Sequence, residues 1–95
     1  MNKIRTVVRI AGKEYPITSY DTEDYVRRVA QYVDRKISEL SMATRLPAQE
    51  VATLTAVTIA DDLVKSREEI TRLQTELEKT RAALEKARAG KEENG

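Results

Sequence analysis

Residues Leu63–Leu84 read LVKSREEITRLQTELEKTRAAL, and their spacing decides the architecture. Leu63, Ile70, Leu77 and Leu84 fall at a strict seven-residue interval, which we label position a, and Ala56 extends the series backward. Position d then holds Ile59, Ser66, Leu73, Thr80 and Ala87. Seven residues are almost two helical turns, so such a stripe stays on one face only when the helix supercoils against another. No other predicted helix has the length to cover it, which makes a second copy of the chain the expected partner. Position g carries Asp62, Glu69, Glu76 and Ala83, and position e carries Arg67, Gln74, Arg81 and Arg88. In a parallel pair Asp62 meets Arg67 and Glu76 meets Arg81, whereas an antiparallel pair sets acid on acid and base on base. Rim pairs of this kind are worth about 0–1 kcal/mol each, so they select orientation more than they hold the coil together. The expectation is a parallel dimer. Small residues at d (Ser66, Thr80, Ala87) leave room for that dimer to pair again. The alternative is a solvated single helix.

Composition narrows the function. The chain has 95 residues, 17 basic and 16 acidic, with charge concentrated after Asp61, as suits an exposed coil. A near-neutral balance argues against a dedicated nucleic-acid surface. Cysteine and histidine are both absent, which removes disulfides, the usual zinc ligands and the commonest general base at neutral pH. No apolar run reaches membrane-spanning length, and Met1-Asn2-Lys3 leads straight into an alternating pattern rather than a signal peptide, so the expected address is the cytoplasm. All four tyrosines lie in the first third, which places the compact core there.

Taken in order, Ile4–Ile10 alternates as a strand, with Ile4, Thr6, Val8 and Ile10 on one side and Arg5, Val7 and Arg9 on the other. Ala11-Gly12-Lys13-Glu14 reads as a turn and Tyr15–Thr18 as the return strand, with Pro16 on an edge because it has no amide hydrogen. Asp21 or Thr22 caps the first helix, whose apolar face is Val26, Val29, Ala30, Val33, Ile37 and Leu40; Arg27, Arg28, Asp34, Arg35, Lys36 and Glu39 lie opposite. Ser41–Leu46 is expected to break the helix, and Pro47 suits the first turn of the next. That second helix is apolar on two sides at its start. Ala52, Ala56, Ile59 and Leu63 belong to the coil stripe; Val51, Leu54, Val57 and Val64 lie off it, to be clamped between the head and a partner chain. From Pro47 to Ala89 the helix would be roughly 60 Å long. The predicted fold is α+β: a head over residues 1–62 made of a β-hairpin, a short helix and the start of the second helix, a coiled-coil helix over 63–89, and a disordered polar tail over 90–95.

No constellation for catalysis emerges. Gly12 stands alone, so no glycine loop cradles a phosphate, and Asp61-Asp62 project about 100° apart on a helix and cannot chelate together. A serine nucleophile would lack a base. No enzyme activity, cofactor, metal or small-molecule substrate is expected. A basic leucine zipper needs a dense basic helix running into the coil, but the residues before Leu63 are apolar and acidic.

Two segments resemble a known family. Tyr25-Val26-Arg27-Arg28-Val29-Ala30-Gln31-Tyr32-Val33-Asp34-Arg35-Lys36-Ile37 is similar to the first helix of the ZapA-like cell-division proteins. Leu54-Thr55-Ala56-Val57-Thr58-Ile59-Ala60-Asp61-Asp62-Leu63 resembles the alanine-rich segment that enters their coiled coil, with Thr58 where the family usually carries asparagine. The resemblance covers roughly Ile4 to Arg72 and implies a bacterial cytoplasmic protein that binds FtsZ, the tubulin-like division GTPase, and cross-links its protofilaments at midcell. It also implies a dimer with both heads at one end of a parallel coil, and two dimers joined antiparallel through their coils. By the same resemblance, charged head residues contact FtsZ; the matching positions are Lys13, Arg45 and Glu50, with Arg9 and Arg35 beside them. Oligomerisation would run through Ala56, Ile59, Leu63, Ile70, Leu73, Leu77 and Leu84. The competing reading is a nucleic-acid-associated coiled-coil oligomer using Arg5, Arg9, Arg27 and Arg28.

Overall fold

A computed structural model of the chain describes residues 2–94, with side chains described over 2–91. Four elements follow in order: strands β1 (Ile4–Ile10) and β2 (Lys13–Ser19), then helices α1 (Glu23–Thr44) and α2 (Ala48–Asn94). The chain divides into two compact units, Met1–Thr58 and Ile59–Gly95.

The hairpin has the sidedness that alternation predicts, but its turn is tighter. Ala11 and Gly12 alone form it, with φ of 53° and 79°, and β2 begins already at Lys13. Two positive φ values make a type I′ turn, whose twist matches that of the flanking strands. Glycine adopts this backbone freely; Ala11 does so against its steric preference. A compensating contact comes from α1, where Asp34 Oδ1 accepts the Ala11 amide hydrogen at 2.8 Å. Asp34 therefore does not belong to the solvated face assigned to it from periodicity; it is half-buried and ties the helix to the turn. Ile10 pairs with Lys13 across the turn, and counting from this hydrogen-bonded pair places Pro16, opposite Val7, at a site with no ladder hydrogen bond. Its missing amide hydrogen costs nothing there.

Thr22 caps α1, its hydroxyl accepting from the Tyr25 amide at 3.2 Å, and Glu23 and Asp24 occupy the positive end of the helix dipole. The helix packs on β1 through Val26 and Ala30, which join Val8 in the core with Ile10 and Ile17 alongside. Val33, Ile37 and Leu40 are half-buried on the same face. Val29 is not part of that core: it lies at the edge of the apolar arc and stays 46% exposed. The narrow two-stranded sheet covers only the centre of that arc.

The helix also outruns its predicted end, continuing through Ser41 to Thr44. Thr44 explains how: its hydroxyl donates to the Leu40 carbonyl at 2.7 Å and accepts from the Leu46 amide at 3.3 Å. Arg45 then closes the helix in the left-handed conformation, φ 55°, its amide donating to the Ser41 carbonyl at 3.0 Å. Pro47 bars Leu46 from helical backbone and starts α2, accepting from the Val51 amide at 3.0 Å. The break is thus Arg45-Leu46-Pro47 alone.

At its start α2 buries Val51 and Thr55, with Leu54 and Thr58 half-buried beside them. Thr55 is tolerated inside because its hydroxyl donates to the Val51 carbonyl at 2.7 Å. Thr58 is satisfied likewise, on the Leu54 carbonyl at 2.9 Å. Val57, expected to lie between the head and a partner chain, is 60% exposed in the single chain. The helix passes through Gly90, where a tail was expected, and is described as far as Asn94; Gly95 lies outside the described residues.

Two substitutions test this packing. Thr6 is 1% exposed and its hydroxyl has no hydrogen-bond partner among the described residues. Thr6→Val keeps the shape and removes a buried unsatisfied group, so unfolding free energy should rise by about 1 kcal/mol in a denaturant titration. Arg45→Gly replaces a side chain at a left-handed position. It should leave the helix end intact and raise stability by up to about 1 kcal/mol in the same assay.

Candidate functional site

Two surfaces qualify as sites, one on each compact unit. On Ile59–Gly95 the candidate is the seam. Leu63, Ile70, Leu73, Leu77 and Leu84 are 48–55% exposed, so a single chain leaves a row of large aliphatics half in water. The flanking charges pair along the helix. Arg72 binds both Glu69 and Glu76, the latter at 2.6 Å, and Lys65 meets Asp61 at 2.9 Å. The hydrogen bonds that Glu69 accepts from Arg72 hold its carboxyl below its ordinary range, and the same bonds raise Arg72 in turn. The hydrogen bond with Asp61 likewise raises Lys65. All these groups are exposed and screened, so the pairs organise the rim more than they stabilise it. Glu76, read as reaching across to Arg81 of a second copy, is engaged within its own helix.

On the first unit the charged candidates do not converge on one hollow. Arg9 stands opposite Glu14 in the ladder and lines a hollow of about 340 Å³ with Arg27 and Gln31. Lys13 borders a larger, mostly apolar groove of about 890 Å³ between the hairpin, α1 and the start of α2, near Tyr15, Ile37 and Ala52. Glu50, in the first turn of α2, lines a third hollow of about 560 Å³ with Leu46, Leu54 and Val57, and Arg45 directly precedes Leu46. Among the described residues Arg9, Lys13, Arg45 and Glu50 make no ion pair. Arg35 is engaged: it lies 4.0 Å from Glu39 and stacks over the Tyr32 ring at 5.6 Å. The apolar neighbours of Glu50 were not legible as site residues, because Val57 and Leu54 read as buried.

The basic set considered for nucleic acid is interrupted. Arg27 lies 3.8 Å from Glu23, Arg28 covers Tyr25 at 5.8 Å, and Glu14 shares the hollow with Arg9. Among the described residues no group of histidine, cysteine, aspartate and glutamate side chains could hold a metal, and no helix is long and apolar enough to cross a membrane.

Comparison with known proteins supplies the context. The family model described as "Cell division protein ZapA" matches residues 6–90. Cell division protein ZapA of Halalkalibacterium halodurans is 40% identical over 73 residues, spanning 76% of this chain and 80% of the relative. That of Geobacillus kaustophilus shows the same identity and coverage, 40% over 73 residues, 76% and 80%. Among solved structures, a ZapA mutant dimer from Geobacillus stearothermophilus aligns at a TM-score of 0.65 with 38% identity, covering 82% of this chain and 92% of that one. A hairpin, a capped helix and a long heptad-bearing helix in this order, matched over nearly the whole length, place the chain in the ZapA family of cell division proteins.

Proposed function

We propose that this chain is a non-enzymatic division accessory that self-associates through α2, binds FtsZ through its hairpin-and-helix head, and cross-links FtsZ protofilaments at midcell in the cytoplasm. The observation that carries this reading is the bare seam: aliphatics at heptad positions, half exposed in one chain, require a partner with the same repeat. Its pairing is parallel, by the g-to-e charges, and the small d positions admit a second pairing into a dimer of dimers. The relative from Geobacillus stearothermophilus is a dimer, which supports self-association here. The FtsZ contact rests on the family resemblance and on the unpaired Arg9, Lys13, Arg45 and Glu50.

The mechanism is geometric. A single head contacts a filament weakly. Two heads on one assembly hold two filaments at once, and the second contact forms at high effective concentration. Binding and bridging should therefore fail separately. Arg45→Glu should leave the oligomer and its melting temperature intact while weakening co-sedimentation with FtsZ polymer; unchanged pelleting would remove Arg45 from the contact. Leu77→Glu places a charge in the seam of every copy and should lower the mass seen by analytical ultracentrifugation with the head still folded. Truncation after Lys65 should abolish filament bundling, read by light scattering, at concentrations where the full chain bundles. If the truncated protein bundles as well as the full chain, the heads act by neutralising repulsion between filaments instead.

A further inference from the structure

The Ala11-Gly12 turn is one that its own residues do not specify. Both take positive φ, 53° and 79°. Turns of this type favour asparagine, aspartate or glycine at the first position, and alanine brings no side-chain hydrogen bond to offset the conformation. Ile10 pairs with Lys13 across the turn, so the Ala11 amide hydrogen has no place in the ladder. It is taken up from 23 residues further on, by Asp34 Oδ1 at 2.8 Å. That delivery is built into α1. Val26, Ala30 and Asp34 follow at four-residue steps, so the face that packs on Val8 carries Asp34 to the end of the hairpin. The bond lies within one chain and one compact unit, and Asp34 is half-buried where it forms. Ala11, Lys13 and Asp34 border one groove, with Ile10, Ile37 and Ser38 among its other lining residues.

We propose that Asp34 is a positioning residue: its carboxylate holds the strained turn closed and thereby fixes Lys13 on the head. Without that acceptor Ala11 returns to negative φ, the two-residue turn opens, and the Ile10–Lys13 pair at the end of the ladder is lost. The next hydrogen-bonded pair, Val8 with Tyr15, is anchored by the packing of Val8 on α1 and stays closed. The opening is therefore local to the turn. Its consequence for binding rests on the reading above, in which Lys13 contacts FtsZ; the closure of the turn stands without it. Asp34 acts through Lys13 and makes no contact with the filament itself.

The test compares full-length wild type, Asp34→Ala and the double variant Asp34→Ala with Ala11→Gly by amide hydrogen exchange, with co-sedimentation on FtsZ polymer alongside. In Asp34→Ala the Ile10 and Lys13 amides should exchange roughly tenfold faster, while those of Val8 and Tyr15 keep their protection. Glycine at position 11 removes the strain that Asp34 offsets, so the double variant should regain most of the Lys13 protection. Unchanged exchange at Lys13 in Asp34→Ala would overturn the proposal. So would an equal acceleration at Val8 and Tyr15, which marks a loss of overall stability, or an absence of recovery in the double variant. Pelleting with FtsZ should weaken in Asp34→Ala and return with the turn. Undiminished pelleting of Asp34→Ala, or pelleting that stays weak after the Lys13 amide recovers, would remove the positioning role. If wild type does not pellet, the FtsZ reading fails while the exchange result still decides what closes the turn.

Discussion

One helix in this protein serves two partners. Over Ala48–Thr58, α2 buries Val51 and Thr55 within its own unit; beyond that it presents Leu63, Ile70, Leu73, Leu77 and Leu84 half exposed. Fully burying such a side chain contributes about 1.5–3 kcal/mol, so half-covered residues gain about half of that each. No single contact decides association. The seven-residue register does, because it brings every gain into line at once and lets a mismatched register recover almost none. Polar and small residues at d limit that gain.

The head depends on a similar economy. A lone hairpin is marginal in water, and this one is held by few contacts: Val8 against Val26 and Ala30, and the Asp34 carboxylate on the Ala11 amide. The second contact is the more specific, since it fixes a turn that Ala11 would otherwise resist. Small size leaves much of the head surface free for others. Among the described residues Arg9, Lys13, Arg45 and Glu50 make no ion pair, and with the exposed apolar residues near Glu50 they remain on that surface.

Features with a period were legible before the fold was known. The sides of β1 and the apolar face of α1 repeat at 2 or 3.6 residues, so burial there follows from spacing, and the half-exposed aliphatics of α2 repeat at 3.5. Features without a period were not. Asp34 looks like a solvent residue until the turn it caps is placed against it. Thr44 prolongs α1 by a hydroxyl exchange that no propensity scale contains, and Arg45 takes a conformation more often given to glycine. Val29 is apolar and correctly phased but falls beyond the reach of a two-stranded sheet. Sequence periodicity gives the direction of a face; how wide a neighbour covers it is a property of the assembled fold. The charged residues matched to the family were found by resemblance, and only the structure separates Arg35, already engaged, from the four that are not.

The parallel, in-register pairing of α2 proposed along its heptad seam has a direct test. The chain contains no cysteine, so single-cysteine variants report on contacts between copies without background. Thr80 sits at a d position and Glu78 at an off-seam position of the same turn. In a parallel pair the two Thr80 positions face each other at disulfide distance, whereas the Glu78 positions point apart. Under mild oxidation, Thr80→Cys should become a covalent dimer on a non-reducing gel while Glu78→Cys remains single-chain. Efficient cross-linking of Glu78→Cys, or none for Thr80→Cys, would rule out that pairing.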